Sequence, residues 1–283
     1  MMIAGPLVLQ LYLGATLFFA AAPTAGAAEG TATEESGPGC CTRDADVARW
    51  HKNADRLYAQ FKAKEATVEL RKILEVDGRN FEALIKMARA CIDIGDMIPE
   101  SGGNWKEQKL KEYTVAEDYA RRAIKVNPGS TWGYFWVAAA MGNSAMVSPV
   151  ARQLERAGET RARVEGAIEL DPKNGFAYHA YGVWQRKVAE IGGVSRALAP
   201  VLYGQSVPSG SLEKSIEYLQ KAVEINPTVI VSRLELARSH VAKGEWEPAR
   251  ALLKSIPDLP IRFSDDGKHK KQAAQLLAEI NDR

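Results

Sequence analysis

The sequence predicts an all-α chain folded as a helical repeat solenoid, and three observations carry that reading. Four stretches end in nearly the same phrase: Ile73-Leu-Glu-Val-Asp-Gly78, Ala123-Ile-Lys-Val-Asn-Pro128, Ala167-Ile-Glu-Leu-Asp-Pro172 and Ala222-Val-Glu-Ile-Asn-Pro227. Each reads as the last turn of an amphipathic helix, an Asp or Asn, and a stop, because Pro cannot continue a helix and Gly readily leaves one. Self-similarity at intervals of a few tens of residues marks a stacked array. Strand signals are almost absent, since Val229-Ile-Val231 is too short and falls at a helix start.

Residues 1–28 stand apart from the fold. Pro6 to Ala22 is apolar apart from Gln10 and carries no charge, and Ala25-x-Ala27 suits signal-peptidase cleavage. This reads as a secretory signal peptide removed near Ala27-Ala28, which places the protein in the periplasm or outside the cell. An uncleaved membrane anchor is the alternative, although a span needs about 20 apolar residues and Gln10 interrupts this run. Cys40 follows Gly-Pro-Gly rather than a Leu-rich lipobox, which argues against a lipoprotein. Residues 29–43 are small and polar and read as a flexible linker.

Five units follow, at 47–80, 81–130, 131–174, 175–229 and 230–263. The last is the cleanest. Counted from Ile230, Leu236, Ala237, Ala249, Leu253 and Ile256 fall at positions 7, 8, 20, 24 and 27, and Gly244 at position 15 separates the helices. This resembles the tetratricopeptide repeat, a helix-turn-helix of about 34 residues. Small residues at positions 8 and 20 let the two helices cross closely. The same frame places Ala54 and Ala66 at these positions in unit one and Ala88 and Ala116 in unit two, while Ala138 and Gly182 hold position 8 of units three and four, with Val164 and Leu219 at position 24 of their second helices. The stops are 50, 44 and 55 residues apart, and the extra residues fall between the helices of units two to four. Insertions at one topological place emerge on one face of a solenoid. Residues 264–283 read as a C-terminal capping helix with Lys268-His-Lys-Lys271 as its solvated start. A polar terminal helix is what an array needs to stay soluble.

The insert of unit four, Tyr203-Gly-Gln-Ser-Val-Pro-Ser-Gly-Ser211, is flanked by Gly175-Phe-Ala-Tyr-His-Ala-Tyr-Gly-Val-Trp184 and Leu212-Glu-Lys-Ser-Ile-Glu-Tyr-Leu-Gln-Lys-Ala222. Together these resemble the regulator of microtubule dynamics family of tetratricopeptide proteins, over roughly residues 50–255. The motifs are mostly structural. The resemblance implies the fold and a bacterial, exported member of a family whose animal members associate with microtubules and membrane contact sites.

Net charge is +2, with both signs interspersed. No basic helix stripe with interleaved aromatics appears, so nucleic acid is not an expected partner. Three cysteines cannot all pair within one chain. Cys91 occupies an inward helix position, whereas adjacent Cys40 and Cys41 are either incidental or paired, within or between chains.

No catalytic constellation emerges. The chain has no phosphate loop, His-Glu-x-x-His, Cys-x-x-Cys or Gly-x-Ser-x-Gly. The histidines, His51, His179, His240 and His269, are scattered, and none is read as having a helical neighbour that suggests a metal face. Asp265-Asp-Gly267 lacks the later ligands of a calcium loop and is discounted. Ser211-Leu-Glu-Lys214 matches Ser-x-x-Lys without its partner motifs, and Ser211 reads as a helix cap. The expectation is therefore a nonenzyme without cofactor or metal.

By resemblance, positions 2, 5, 9 and 12 of each first helix face a concave groove. That stripe contains Trp132 and Phe135 in unit three, Phe176, His179, Val183 and Arg186 in unit four, Arg89 in unit two and Arg238 in unit five. An aromatic centre rimmed by Arg is a usual composition for a protein-binding hot spot. The Lys and Asn that clamp a terminal carboxylate are absent: the slots hold His51/Asp55, Ile85/Arg89, Phe135/Ala139 and Leu234/Arg238. The expected function is a noncatalytic scaffold or adaptor of the cell envelope that binds a protein segment. A membrane is expected as a partner only if residues 1–28 remain attached. The alternative is a small-ligand or lipid carrier using an aromatic cavity under residues 192–211, which could also fold back into the groove.

Overall fold

The computed structural model describes residues 38–281 and 283, with the side chains of 38–42 outside that description. The proposed signal peptide (1–28), residues 29–37 and the pairing of Cys40 and Cys41 therefore lie outside it. Among the described residues there are twelve helices and no strand. Five antiparallel pairs form the array: α1 (Pro38–Ala59) with α2 (Ala63–Val76), α3 (Phe81–Asp96) with α4 (Trp105–Val126), α5 (Thr131–Val147) with α6 (Val150–Leu170), α7 (Gly175–Ala189) with α9 (Leu212–Ile225), and α10 (Ile230–Lys243) with α11 (Trp246–Ser255). The short α8 (Gly193–Tyr203) and the terminal α12 (Asp266–Glu279) complete the chain.

The repeated phrase ends helices as its chemistry demands. The backbone N–H groups of Asp77, Asn127, Asp171 and Asn226 each close the last turn onto Ile73, Ala123, Ala167 and Ala222. The side chains of Asp77, Asn127 and Asp171 then accept the N–H two residues on, at 3.0, 3.2 and 2.9 Å, which turns the chain. New helices begin at Phe81, Thr131, Gly175 and Ile230, the first residues of units two to five.

Small residues at the crossings are buried: Ala54, Ala66, Ala88, Ala116, Ala138, Ala237 and Ala249. Gly182 replaces alanine in unit four because a Cβ there would lie 2.5 Å from Leu219 Cγ. Ser211 caps α9 by accepting the Lys214 N–H at 3.2 Å. Cys91 is buried and unpaired.

Two expectations are corrected, and one open alternative is decided. The linker read at 29–43 ends early, since α1 begins at Pro38 and starts nine residues before unit one was placed. The extra residues of units two and three mostly lengthen the second helix, so α4 and α6 reach 22 and 21 residues. Only unit four builds a separate element. Its α8 does not fold back into the groove: Arg196 pins it outside, donating to the carbonyls of Val188, Val207 and Pro208 at 2.9, 3.1 and 2.7 Å. The apolar residues Val194, Leu198, Val201 and Leu202 of α8 stay exposed.

The array curls so that its end meets its beginning. Phe263, 4% exposed, belongs to the same core as Ala54, Ile85 and Met87. With Arg262 and Ser264 it closes a small cavity against Tyr58, Phe61, Arg89, Asp93 and Met97. Among the described residues no helix is long and apolar enough to cross a membrane.

Candidate functional site: the concave face

Helices α1, α3, α5, α7 and α10 supply the concave face, and an aromatic cluster marks its middle. Trp132 meets Phe135 edge-on at 6.1 Å between ring centres and Phe176 at 6.1 Å, while Phe135 and Trp136 are 4.8 Å apart. Phe135 and Trp136 are fully buried. Trp132 and Phe176, each one position into its helix, keep part of their surface in solvent.

Two clefts open on either side of Trp132. The first, about 710 Å³, runs between α1 and α3 and is lined by Tyr58, Leu70, Phe81, Ile85, Arg89 and Trp132. Its floor is apolar and its rim is charged. Lys86 bridges Asp55 at 2.6 Å and Glu82 at 2.7 Å across it. Arg89 stacks its guanidinium 3.9 Å over the Tyr58 ring, and burial pulls its pKa down to about 9. The second cleft, about 700 Å³, is bounded by Trp132, Asn174, Phe176, Val229, Ile261 and Arg262.

The rest of the face is filled by the protein's own C-terminal segment. His179 is 1% exposed, with Ser232 Oγ 3.1 Å from its Nδ1. Burial lowers its pKa to about 4, and Asp265 and His269 lie within electrostatic reach. Arg186 forms a buried ion pair with Glu235 and also pairs, at 2.9 Å, with the more exposed Glu190. Arg238 also pairs with Glu235 and donates to Gln272 of α12 at 3.2 Å. A third, polar cleft of about 280 Å³ remains beside α12, lined by Asp96, Lys109, Tyr113, Glu235, Arg238, Asp265 and His269 among others.

The groove stripe is thus divided. Trp132, Phe176, Arg89 and Arg238 line clefts, whereas Phe135, His179, Val183 and Arg186 are packed inside and do not face an open groove. Near His179 and Arg238 the segment 265–272 covers the face, and Phe135 is buried by Trp132, Trp136 and Phe176. Sequence reasoning missed Tyr58 and Phe81 as cleft residues, and it missed the buried role of His269. Lys268 and Lys271 are solvated as expected, but His269 is 6% exposed. The signal was present, since Asp265 and Asp266 stand four and three residues before His269. One ligand-type atom from each of these three lies within 4.8 Å of the other two. The insert 192–211 lines none of these three clefts.

The sequence profile of the regulator of microtubule dynamics protein 1-3 family matches residues 50–281. The chain is 27% identical to regulator of microtubule dynamics protein 1 of Bos taurus, over 82% of this chain and 71% of that protein. The Homo sapiens protein of the same name is also 27% identical, over 70% of this chain and 62% of that protein. The Caenorhabditis elegans protein is 25% identical over 79% and 96%. This chain therefore spans about two thirds of the length of the mammalian relatives. Among solved structures, the tetratricopeptide protein TTC0263 of Thermus thermophilus superposes with a TM-score of 0.57 at 15% identity, covering 81% of this chain and 99% of that one. The pilF protein of Pseudomonas aeruginosa gives 0.50 at 14% identity, covering 85% and 88%.

Proposed function

The chain belongs to the regulator of microtubule dynamics protein 1-3 family, and from that premise we propose that it is a noncatalytic scaffold that binds a protein segment in the clefts flanking Trp132. The observation that supports this most is the first cleft. An apolar floor of Tyr58, Phe81 and Ile85 with the buried Arg89 stacked on Tyr58, a part-exposed Trp132 at one end and a rim of Asp55, Glu82 and Lys86 resemble the core and rim of a protein interface. The cleft suits an extended or helical segment laid along the first helices. Its mixed charges favour a partner of mixed charge over a nucleic acid or a carboxylate terminus. We place this activity in the cell envelope on the strength of the signal-like residues 1–28. The microtubule association named for the animal relatives is a separate reading, which no groove residue favours.

The test is affinity capture from the native envelope fraction with the full chain and with Trp132→Ala, followed by mass spectrometry of proteins and small molecules. A protein retained by the native chain and lost with Trp132→Ala supports the reading. A lipid or metabolite retained with no protein overturns it in favour of a carrier.

A further inference from the structure

We propose that Asp265, Asp266 and His269, at the start of α12, form a site for one divalent transition cation of the zinc or manganese class, which fastens the C-terminal segment across the concave face. One ligand-type atom from each residue lies within 4.8 Å of the others. Helical spacing explains the grouping, because residues three and four apart are neighbours on one face.

Asp266 and His269 are buried, and each has one polar atom without a partner. Asp266 is 1% exposed and accepts the backbone N–H groups of Arg262 and Phe263 through Oδ2, at 2.7 and 2.8 Å. Its Oδ1 is buried without a partner. His269 Nε2 lies 3.4 Å from Asp265 Oδ2, while its Nδ1 is also buried without a partner. Buried polar atoms in folded proteins are nearly always satisfied. If Nδ1 carries the proton, Nε2 presents its lone pair beside Asp265 Oδ2 at 3.4 Å, the spacing of two donors on one ion.

The surroundings point the same way from other helices. Asp93 Oδ1 on α3 and His179 Nε2 on α7 are likewise buried without partners, and both residues lie within electrostatic reach of Asp265. Two carboxylates and a neutral imidazole sum to the charge that a dication cancels. A nitrogen among the ligands favours zinc or manganese over calcium and magnesium, which take oxygen. Bond lengths of about 2.0–2.2 Å place ligand atoms roughly 3.4 Å apart, so the side chains close by about an ångström on binding. The third cleft, lined by Asp265 and His269, supplies the entry path. Because Asp266 also holds the Arg262–Phe263 backbone, the ion locks the segment that places Phe263 against Asp93 and Met97.

The test is calorimetric titration of the chelator-stripped full chain with zinc, manganese and calcium chlorides, with Co²⁺ absorption as a second readout. One zinc or manganese ion per chain is expected, with a raised melting temperature and at least tenfold weaker binding in Asp265→Asn and Asp266→Asn. Asp266→Asn keeps a carbonyl oxygen for the two N–H groups; should it fail to fold by circular dichroism, the part-exposed Asp265→Asn decides. Overturning results are no saturable binding near one ion per chain, binding untouched by the variants, or calcium bound as tightly as zinc.

Discussion

Arg186 on α7 and Glu235 on α10 form an ion pair whose side chains are 4% and 3% exposed, and it joins units four and five across the concave face. Glu235 is also held by Arg238, and the Ser239 hydroxyl donates to the Glu235 carbonyl at 3.1 Å. Removing one member of a buried pair strands the other charge, so Glu235→Ala is expected to cost about 3–5 kcal/mol. Replacing both residues together, as Arg186→Met with Glu235→Leu, should cost far less. Urea unfolding of the two variants checks this; equal losses would show that the pair matters only for packing.

The same carboxylate sets an acid limit. Burial alone would raise the Glu235 pKa, but the Arg238 and Arg186 guanidiniums beside it hold it down to about 2. An unfolded Glu titrates near 4.3. With the folded pKa depressed, the stabilisation is full above about pH 4.3 and is lost as pH falls towards 2. Glu235→Gln should therefore flatten the acid limb of a stability profile between those values.

Asp96 acts with the opposite sign. Burial pushes its pKa up to about 7, against the Tyr113 hydroxyl that donates to it at 2.7 Å; Asp265 adds to the rise, and Lys109 and Lys268 oppose it. Neighbouring Asp93 is raised by burial, Asp96 and Asp265. A raised carboxyl favours the fold below its unfolded pKa of about 3.9, and that contribution is lost as pH rises towards 7. Unfolding midpoints at pH 5 and pH 8, measured with chelator present, should differ less for Asp96→Asn than for the native chain. An unchanged difference would place the titration elsewhere.

Most of the fold was legible because it rests on local chemistry. The stops at Asp77, Asn127, Asp171 and Asn226 turn the chain through their own backbone and neighbours, and crossings need small residues whatever lies beyond. The groove was only half legible. Trp132 and Phe135 are three residues apart on one helix, yet one is part-exposed and the other buried. That difference depends on how the next unit packs, since Phe176, some forty residues downstream, lies against Phe135. Periodicity within a helix is blind to such a contact. His269 was missed for a simpler reason, since its carboxylates precede it in the sequence.

Gly182 tests the register of the repeat. An added Cβ would meet Leu219 Cγ at 2.5 Å, the Ser215 carbonyl oxygen at 3.0 Å and the Leu219 backbone nitrogen at 3.1 Å. Two of these are backbone atoms that yield little, so Gly182→Ala should destabilise by roughly 1–3 kcal/mol through overpacking, despite the better helix propensity of Ala. Ala88→Leu should fall in the same range, since Ala88 is fully buried at the matching position of unit two. A melting temperature unchanged in both would undo the frame.

Trp132 and Phe135 separate binding from folding. Phe135 is fully buried against Trp136 and Phe176, so Phe135→Ala should cost about 3–5 kcal/mol. Trp132 borders both large clefts and keeps part of its ring in water, so Trp132→Ala should cost less stability and more binding. At a protein interface a central aromatic anchor contributes 2 kcal/mol or more, roughly a thirtyfold loss of affinity on truncation. The measurements are thermal unfolding of both variants and the affinity of each for the captured partner. If Trp132→Ala unfolds as readily as Phe135→Ala and folded protein binds normally, then Trp132 belongs to the core and the clefts beside it are not the binding surface.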